Sequence, residues 1–171
     1  MKKYISSFVG GFGAGVLQIV PVAKNFACCL IVPIASYIAI QLERRASKDN
    51  NKISLKKGIM IGLITGLYAA LFGSLFELLI TFITHNNDFI FAMSGLQKVI
   101  KDFPLDEKIK AEIFSMISKV ASDIQRQGFS VLYSFSIIVN NFIINPLFGL
   151  IGGLISVQII NSKISKDTTE F

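Results

Sequence analysis

From Gly58 to Ile83 the chain carries only one charged side chain, Glu77. A helix rises about 1.5 Å per residue, so a stretch of roughly 26 residues is longer than the ~30 Å hydrocarbon core of a bilayer. A soluble domain of ordinary size has no core deep enough to enclose such a helix along its whole length. Three further apolar stretches accompany it, from about Tyr4 to Val22, Phe26 to Leu42 and Phe129 to Ile160. Composition points the same way: of 171 residues 52% are apolar and 16% charged, with a mean hydropathy of +0.60. The expected fold class is all-α, a polytopic transmembrane bundle of four helices forming a single membrane domain over residues 1–171.

Lys2-Lys3 followed by apolar residues to Val22 has the outline of a signal peptide cleaved after Ala23. Pro21, three positions before the cut, opposes cleavage, so this segment reads as a retained anchor. Ala23-Lys24-Asn25 leaves room only for a tight antiparallel hairpin between the first two spans. The fourth apolar stretch would be about 48 Å long as one helix, too long for one simple crossing and too short for two. Asn140, Asn141 and Asn145-Pro146 interrupt it, which predicts a kinked helix.

Between His85 and Gln127 the chain changes character. Ile109, Ile113, Met116, Ile117, Val120 and Ile124 recur at the spacing of one helical face, while Lys108, Lys110, Glu112, Lys119 and Asp123 fall mostly elsewhere. Pro104, Asp106 and Glu107 suit a first turn. An extramembrane amphipathic helix is therefore expected between the third and fourth spans, preceded by a partly apolar stretch, Phe89 to Ile100, at the interface.

The net charge of +6 comes from basic residues beside the apolar segments and not from an aromatic-laced basic patch. Membrane lipids, and not nucleic acid, are the expected counter-charge. Lys2, Lys3, Arg44, Arg45, Lys48, Lys52, Lys56, Lys57, Lys163 and Lys166 fall on one side if the chain starts inside, which predicts cytoplasmic termini.

Small residues repeat every four positions: Ser7, Gly11 and Gly15; Gly58, Gly62, Gly66 and Ala70; Gly149 and Gly153. In lipid, helices associate through such stripes because apolar burial no longer separates protein from solvent. The stripes predict close helix contact, within one chain or between copies. Glu77 continues Gly66, Ala70 and Gly73 at three-and-four spacing, so it faces the bundle, either as a structural anchor or as a group that handles an ion, proton or ligand. Asn141 extends the Gly149–Gly153 face through Asn145. Gln18, Cys28, Glu77, Asn140 and Asn141 form a candidate polar intramembrane cluster; its plainer reading is interhelical hydrogen bonding.

Catalytic and metal chemistry finds little support. Adjacent Cys28 and Cys29 read as small apolar packing residues, with no second pair and no nearby histidine to complete a metal site. His85 is the sole histidine. Phosphate-loop, zincin and nucleophile-elbow motifs are missing. No enzyme activity, cofactor or metal is expected.

The glycine-rich start Gly10-Gly11-Phe12-Gly13-Ala14-Gly15, the stretch Asn25-Phe26-Ala27-Cys28-Cys29-Leu30, and Ile53-Ser54-Leu55-Lys56-Lys57-Gly58 opening the third span carry a family likeness. With the acidic helix after Pro104 and the final Gly149–Gly153 helix, the chain resembles small bacterial four-helix integral membrane protein families of unknown function. The resemblance implies fold and a bacterial inner-membrane location only. The expected role is a structural or accessory subunit that packs as a homo-oligomer or with a membrane-complex partner. The alternative is a small transporter or channel using Glu77 and the Asn140/Asn141 region.

Overall fold

The computed structural model describes residues 4–48 and 51–167, with the side chains of Val22, Ala27, Cys28, Lys166 and Asp167 outside that description. Lys2 and Lys3, used above for orientation, lie outside the described residues. Those described form helices, turns and short connections, with no strand among them.

Helix α1 (Ile5–Leu17) has 13 residues and ends at Gln18. Pro21, pre-set for a helical first turn, opens the single turn α2 (Pro21–Lys24). A π-helical turn, Ala27–Ile31, follows, in which the Ile31 N–H donates to the Phe26 carbonyl five residues back at 3.2 Å. It leads into α3 (Val32–Ser47), which stops at Lys48 in the left-handed conformation, φ 51°. Helix α4 (Leu55–Thr84) has 30 residues. Helices α5 (Asp88–Asp102), α6 (Glu107–Gln127) and α7 (Val131–Asp167) complete the chain. Pro146 lies inside α7.

Among the described residues two helices, α4 and α7, are long and apolar enough by length and composition to cross a membrane. The 13 residues of α1 rise only about 20 Å, because the chain turns at Ile19–Pro21 before a full span is complete. The connection before α7 holds two capped helices where one amphipathic helix after an interfacial stretch was expected. The Asn87 side chain accepts from the Ile90 N–H at 3.1 Å to start α5, and Asp106 accepts from the Lys108 N–H at 2.8 Å to start α6. Phe103, held extended at ψ 138° by the following Pro104, separates them.

The chain forms two compact units, one of the described residues up to Phe76 and from Ile138 onward, the other of Glu77–Ile137. In the first, glycines set the helix spacing. A Cβ on Gly62 would collide with the Gly149 carbonyl oxygen and lie 2.9 Å from the Gly153 Cα. One on Gly66 would reach the Pro146 Cα at 2.7 Å, and one on Gly58 would strike the Val157 side chain. Helices α4 and α7 therefore run antiparallel with backbones in direct contact. Asn161 reinforces their end, with Oδ1 accepting from the Ile53 N–H at 2.8 Å and Nδ2 donating to the Ile53 carbonyl at 2.9 Å. Helix α1 lies against α3 and α4: a Cβ on Gly10 would meet the Ala35 carbonyl at 2.8 Å, and one on Gly15 the Phe72 Cβ at 2.6 Å. Gly152 meets the Pro33 Cα of α3 in the same way, at 2.5 Å.

Most of what this packing buries is small: Ser7, Ala14, Ser36, Ala39, Thr65, Ala69 and Ala70 are at most 1% exposed, with Val32, Ile40, Val157 and Ile160 the large residues enclosed among them. What it leaves uncovered is large. Leu67, Leu71 and Leu75 on α4 and Leu147, Ile151 and Ile155 on α7 are 37–51% exposed. Phe8 and Phe12 extend this apolar exterior, meeting Phe72 edge-to-face at 5.5 and 5.1 Å between ring centroids.

In the second unit Val120, Ile124 and Tyr133 form a core with Leu78, Phe89, Ile90 and Ile137 packed on it. Only the C-terminal half of the α6 apolar face is enclosed; Ile109 and Met116 stay exposed. Gly128 joins α6 to α7 at φ 67°, where a Cβ would also lie 2.9 Å from the Phe82 Cα.

Overpacking a contact of this kind costs about 1–3 kcal/mol. Gly62→Val is expected to lower the melting temperature of the purified protein by that equivalent or more. Gly13→Ala, whose added Cβ meets nothing within 4 Å, is expected to be neutral or to stabilise by up to about 1 kcal/mol through helix propensity. Equal responses at the two positions would contradict the direct backbone contact.

Candidate functional site

Gln18 ends α1 and Asn145 lies in the middle of α7, yet their side chains meet. Gln18 Nε2 donates to Asn145 Oδ1 at 3.4 Å, and Asn145 Nδ2 donates back to Gln18 Oε1 at 3.3 Å. Both residues are buried, at 7% and 3% exposure. Gly73 makes room for them, since a Cβ there would strike Gln18 Oε1. A buried amide without a partner costs about 1–3 kcal/mol, and two that face each other satisfy much of that need reciprocally. One turn along α7, Asn141 Nδ2 donates to the Ser74 hydroxyl on α4 at 3.0 Å. Ser6 donates to Glu43 Oε2 at 2.9 Å, tying α1 to α3.

Glu77 belongs to the second unit, partly buried. Its Oε1 accepts from the Tyr133 hydroxyl at 2.9 Å, and Tyr133 is itself 8% exposed beside Val120 and Ile124. A phenol donating to a carboxylate is a charge-assisted bond, stronger than a neutral pair. Thr81, one turn further on α4, is buried and accepts from Asn87 Nδ2 at 3.5 Å. His85 is exposed at the end of α4, its Nδ1 3.3 Å from the Gln125 carbonyl.

The five residues grouped from the sequence are thus distributed. The described hydrogen bonds of Gln18, Asn141 and Glu77 run to Asn145, Ser74 and Tyr133, residues outside that group. Asn140 is exposed. The Cys28 side chain lies outside the described residues, and Cys29 is exposed. The sequence placed Asn145 both in a helix break and on the Gly149–Gly153 stripe; the structure puts it on the packed face, though it stood outside the predicted cluster. Ser74 continues the stripe of Gly58, Gly62, Gly66 and Ala70 by one more four-residue step and could have been found the same way. Tyr133 and Asn161 carry no local mark. Among the described residues, no three His, Cys, Asp or Glu side chains gather where a metal ion could bind.

The packing defines an all-α protein whose helices meet through glycines and paired amides. Over residues 4–161 the chain matches the family described as "Protein of unknown function (DUF4199)", and it belongs to that family. No protein of curated function and no solved structure matches it.

Asn145→Leu strands the Gln18 amide and is expected to destabilise the protein by about 1–3 kcal/mol. In a double-mutant cycle with Gln18→Met, the pair should lose less than the sum of the singles, with a coupling of about 1 kcal/mol. Strict additivity in the unfolding free energies would show that the amides do not act together.

Proposed function

We propose that this chain is an integral membrane protein with a structural or accessory role, packing with copies of itself or with a larger membrane complex. The observation that carries the membrane reading is the inverted partition of its first unit. Glycine, alanine, serine and paired amides make up most of the inside, beside a few aliphatic residues such as Val32, Ile40, Val157 and Ile160, while Leu67, Leu71, Leu75, Leu147, Ile151 and Ile155 face outward. Water would penalise that arrangement by about 25 cal/mol for each Å² of apolar surface left exposed. In hydrocarbon the same exterior is matched to its solvent, and close small-residue packing with interhelical hydrogen bonds supplies the cohesion.

On this reading α4 and α7 cross the bilayer and the hairpin of α1 and α3 is embedded beside them, completing a four-helix membrane bundle. Arg44 and Arg45 in the last turn of α3, Lys48 and Lys52 in the connection, Lys56 and Lys57 in the first turn of α4 and Lys163 near the end of α7 fall at one end of these helices, which favours a cytoplasmic position for that connection and for both termini. The family likeness read from the sequence favours a bacterial inner membrane. The accessory role is supported by α5, which has no buried residue and leaves Phe91 and Val99 73% and 60% exposed. Together with Met116 on α6, 59% exposed, these side chains suit an interface with lipid or a partner.

The protein is expected to stay in the membrane pellet after alkaline carbonate extraction and to show a mass above one chain in native nanodiscs. Release into the supernatant would overturn the membrane reading, and a strict monomer without co-purifying protein would overturn the accessory role.

The pairing of Glu77 with Tyr133 favours a second reading, a small transporter or channel. That reading requires solute flux in proteoliposomes that falls at least tenfold in Glu77→Gln; absence of flux for every ion and solute tested in the unaltered protein eliminates it.

A further inference from the structure

The first unit carries two hollows that share Tyr37. One, about 240 Å³, lies between α3 and α7 and is lined by Pro33, Ile34, Tyr37, Gly152, Ile155 and Ile159, together with the buried Ser156. The other, about 320 Å³, continues along α3 from Tyr37 past Ile38 and Gln41 to Arg45. The close approach of Gly152 to the Pro33 backbone pins the helices together at one end. From there the walls change in order along α3, from aliphatic side chains to the Tyr37 hydroxyl, which accepts from Gln41 Nε2 at 3.0 Å, and then to the exposed guanidinium residue Arg45.

We infer that this groove holds one anionic phospholipid, with an acyl chain between α3 and α7 and the headgroup phosphate at Arg45. The inference rests on the membrane reading above and adds a ligand to it. Three features support the lipid. The twelve steps from Pro33 to Arg45 rise about 18 Å, enough for one leaflet of a ~30 Å core and the start of its headgroup region. The apolar hollow is rimmed by Ile34, Ile155 and Ile159, each 44–54% exposed and without protein cover on that side. The charge is complementary: Arg44, Arg45 and Lys48 close the same end of α3, and basic sites between helices on the cytoplasmic side select anionic headgroups. The neighbouring acid, Glu43, is turned to α1, where it accepts from Ser6 at 2.9 Å. Arg44 Nε, at the same level, is buried with no hydrogen-bond partner among the described residues, so the acidic neighbour does not satisfy it.

Native mass spectrometry of the full-length protein, released from nanodiscs of equal phosphatidylglycerol and phosphatidylethanolamine, reads occupancy and headgroup preference together. The unaltered protein is expected to retain one lipid, with phosphatidylglycerol favoured about fivefold, the scale of one juxtamembrane cation. Arg45→Gln should remove the preference while lipid is still retained, and Arg45→Lys should restore most of it. Ile34→Trp, which fills the apolar hollow, should reduce retention of both lipids at least threefold with helicity by circular dichroism unchanged. Equal retention of the two lipids by the unaltered protein, or a preference untouched by Arg45→Gln, overturns the headgroup assignment. Retention untouched by Ile34→Trp, or lipid displaced by millimolar glycerol phosphate, overturns the acyl groove. A protein that enters nanodiscs but retains no lipid sinks this inference alone, whereas one that does not enter them sinks the membrane reading as well.

Discussion

The direct backbone contact between α4 and α7 is the constraint on which the first unit depends. Gly62 and Gly66 on one helix and Gly149 and Gly153 on the other leave no side chain between them, so carbonyl oxygens approach positions where a Cβ would stand, and at Gly58 the Val157 side chain takes that space. Glycine weakens a helix interior by roughly 0.5–1 kcal/mol per residue relative to alanine. Five such positions along one seam are tolerated because dispersion contacts between closely spaced backbones, and the bonds they allow, offset that cost. The remaining geometry follows. Asn161 can reach both backbone groups of Ile53 only when the helices are this close. Gln18 can enter beside Gly73 only because Gly73 has no Cβ.

Polar groups in this chain are handled locally and in pairs. Some buried hydroxyls turn back on their own helices, Ser36 donating to the Val32 carbonyl at 3.0 Å and Thr65 to the Ile61 carbonyl at 2.8 Å, while Ser7 donates across to the Ile61 carbonyl at 3.3 Å. Groups that cannot do so meet across helices, as Gln18 meets Asn145 and Asn141 meets Ser74. Where water is scarce a lone amide is costly, and reciprocal pairing both removes the cost and fixes the register of the helices. Tyr133 plays the matching part for Glu77 in the second unit, and the two residues hold α4 and α7 there as the amides do in the first.

The second unit differs in kind. Its helices carry more charge, its core is confined to Val120, Ile124, Tyr133 and the residues packed on them, and α5 has no buried residue. A helix that packs only Phe89 and Ile90 of its apolar side chains on the core is stabilised by something outside its own fold or is marginal by itself. This is why the accessory role is placed on α5 and α6, while the groove along α3 is assigned to a lipid.

By itself the sequence determined that the long apolar stretches are largely helical and which residues line the packed faces, though it set the end of the first helix at Val22, where the structure ends it at Leu17. Those are local properties: hydropathy, the three-and-four spacing of small residues, and caps such as Asn87 and Asp106 all act within a few residues of chain. Even Asn145 and Ser74 were marked by the four-residue stripes on which they sit. Only the tertiary structure decided that Gln18 pairs with Asn145, that Glu77 is held by Tyr133, that Asn140 on the neighbouring position points away, and that α1 stops short of a full span. Partner choice between residues 127 positions apart, as for Gln18 and Asn145, depends on the register at which helices dock. That register is set by the summed fit of many backbone contacts, which no single segment of the chain contains.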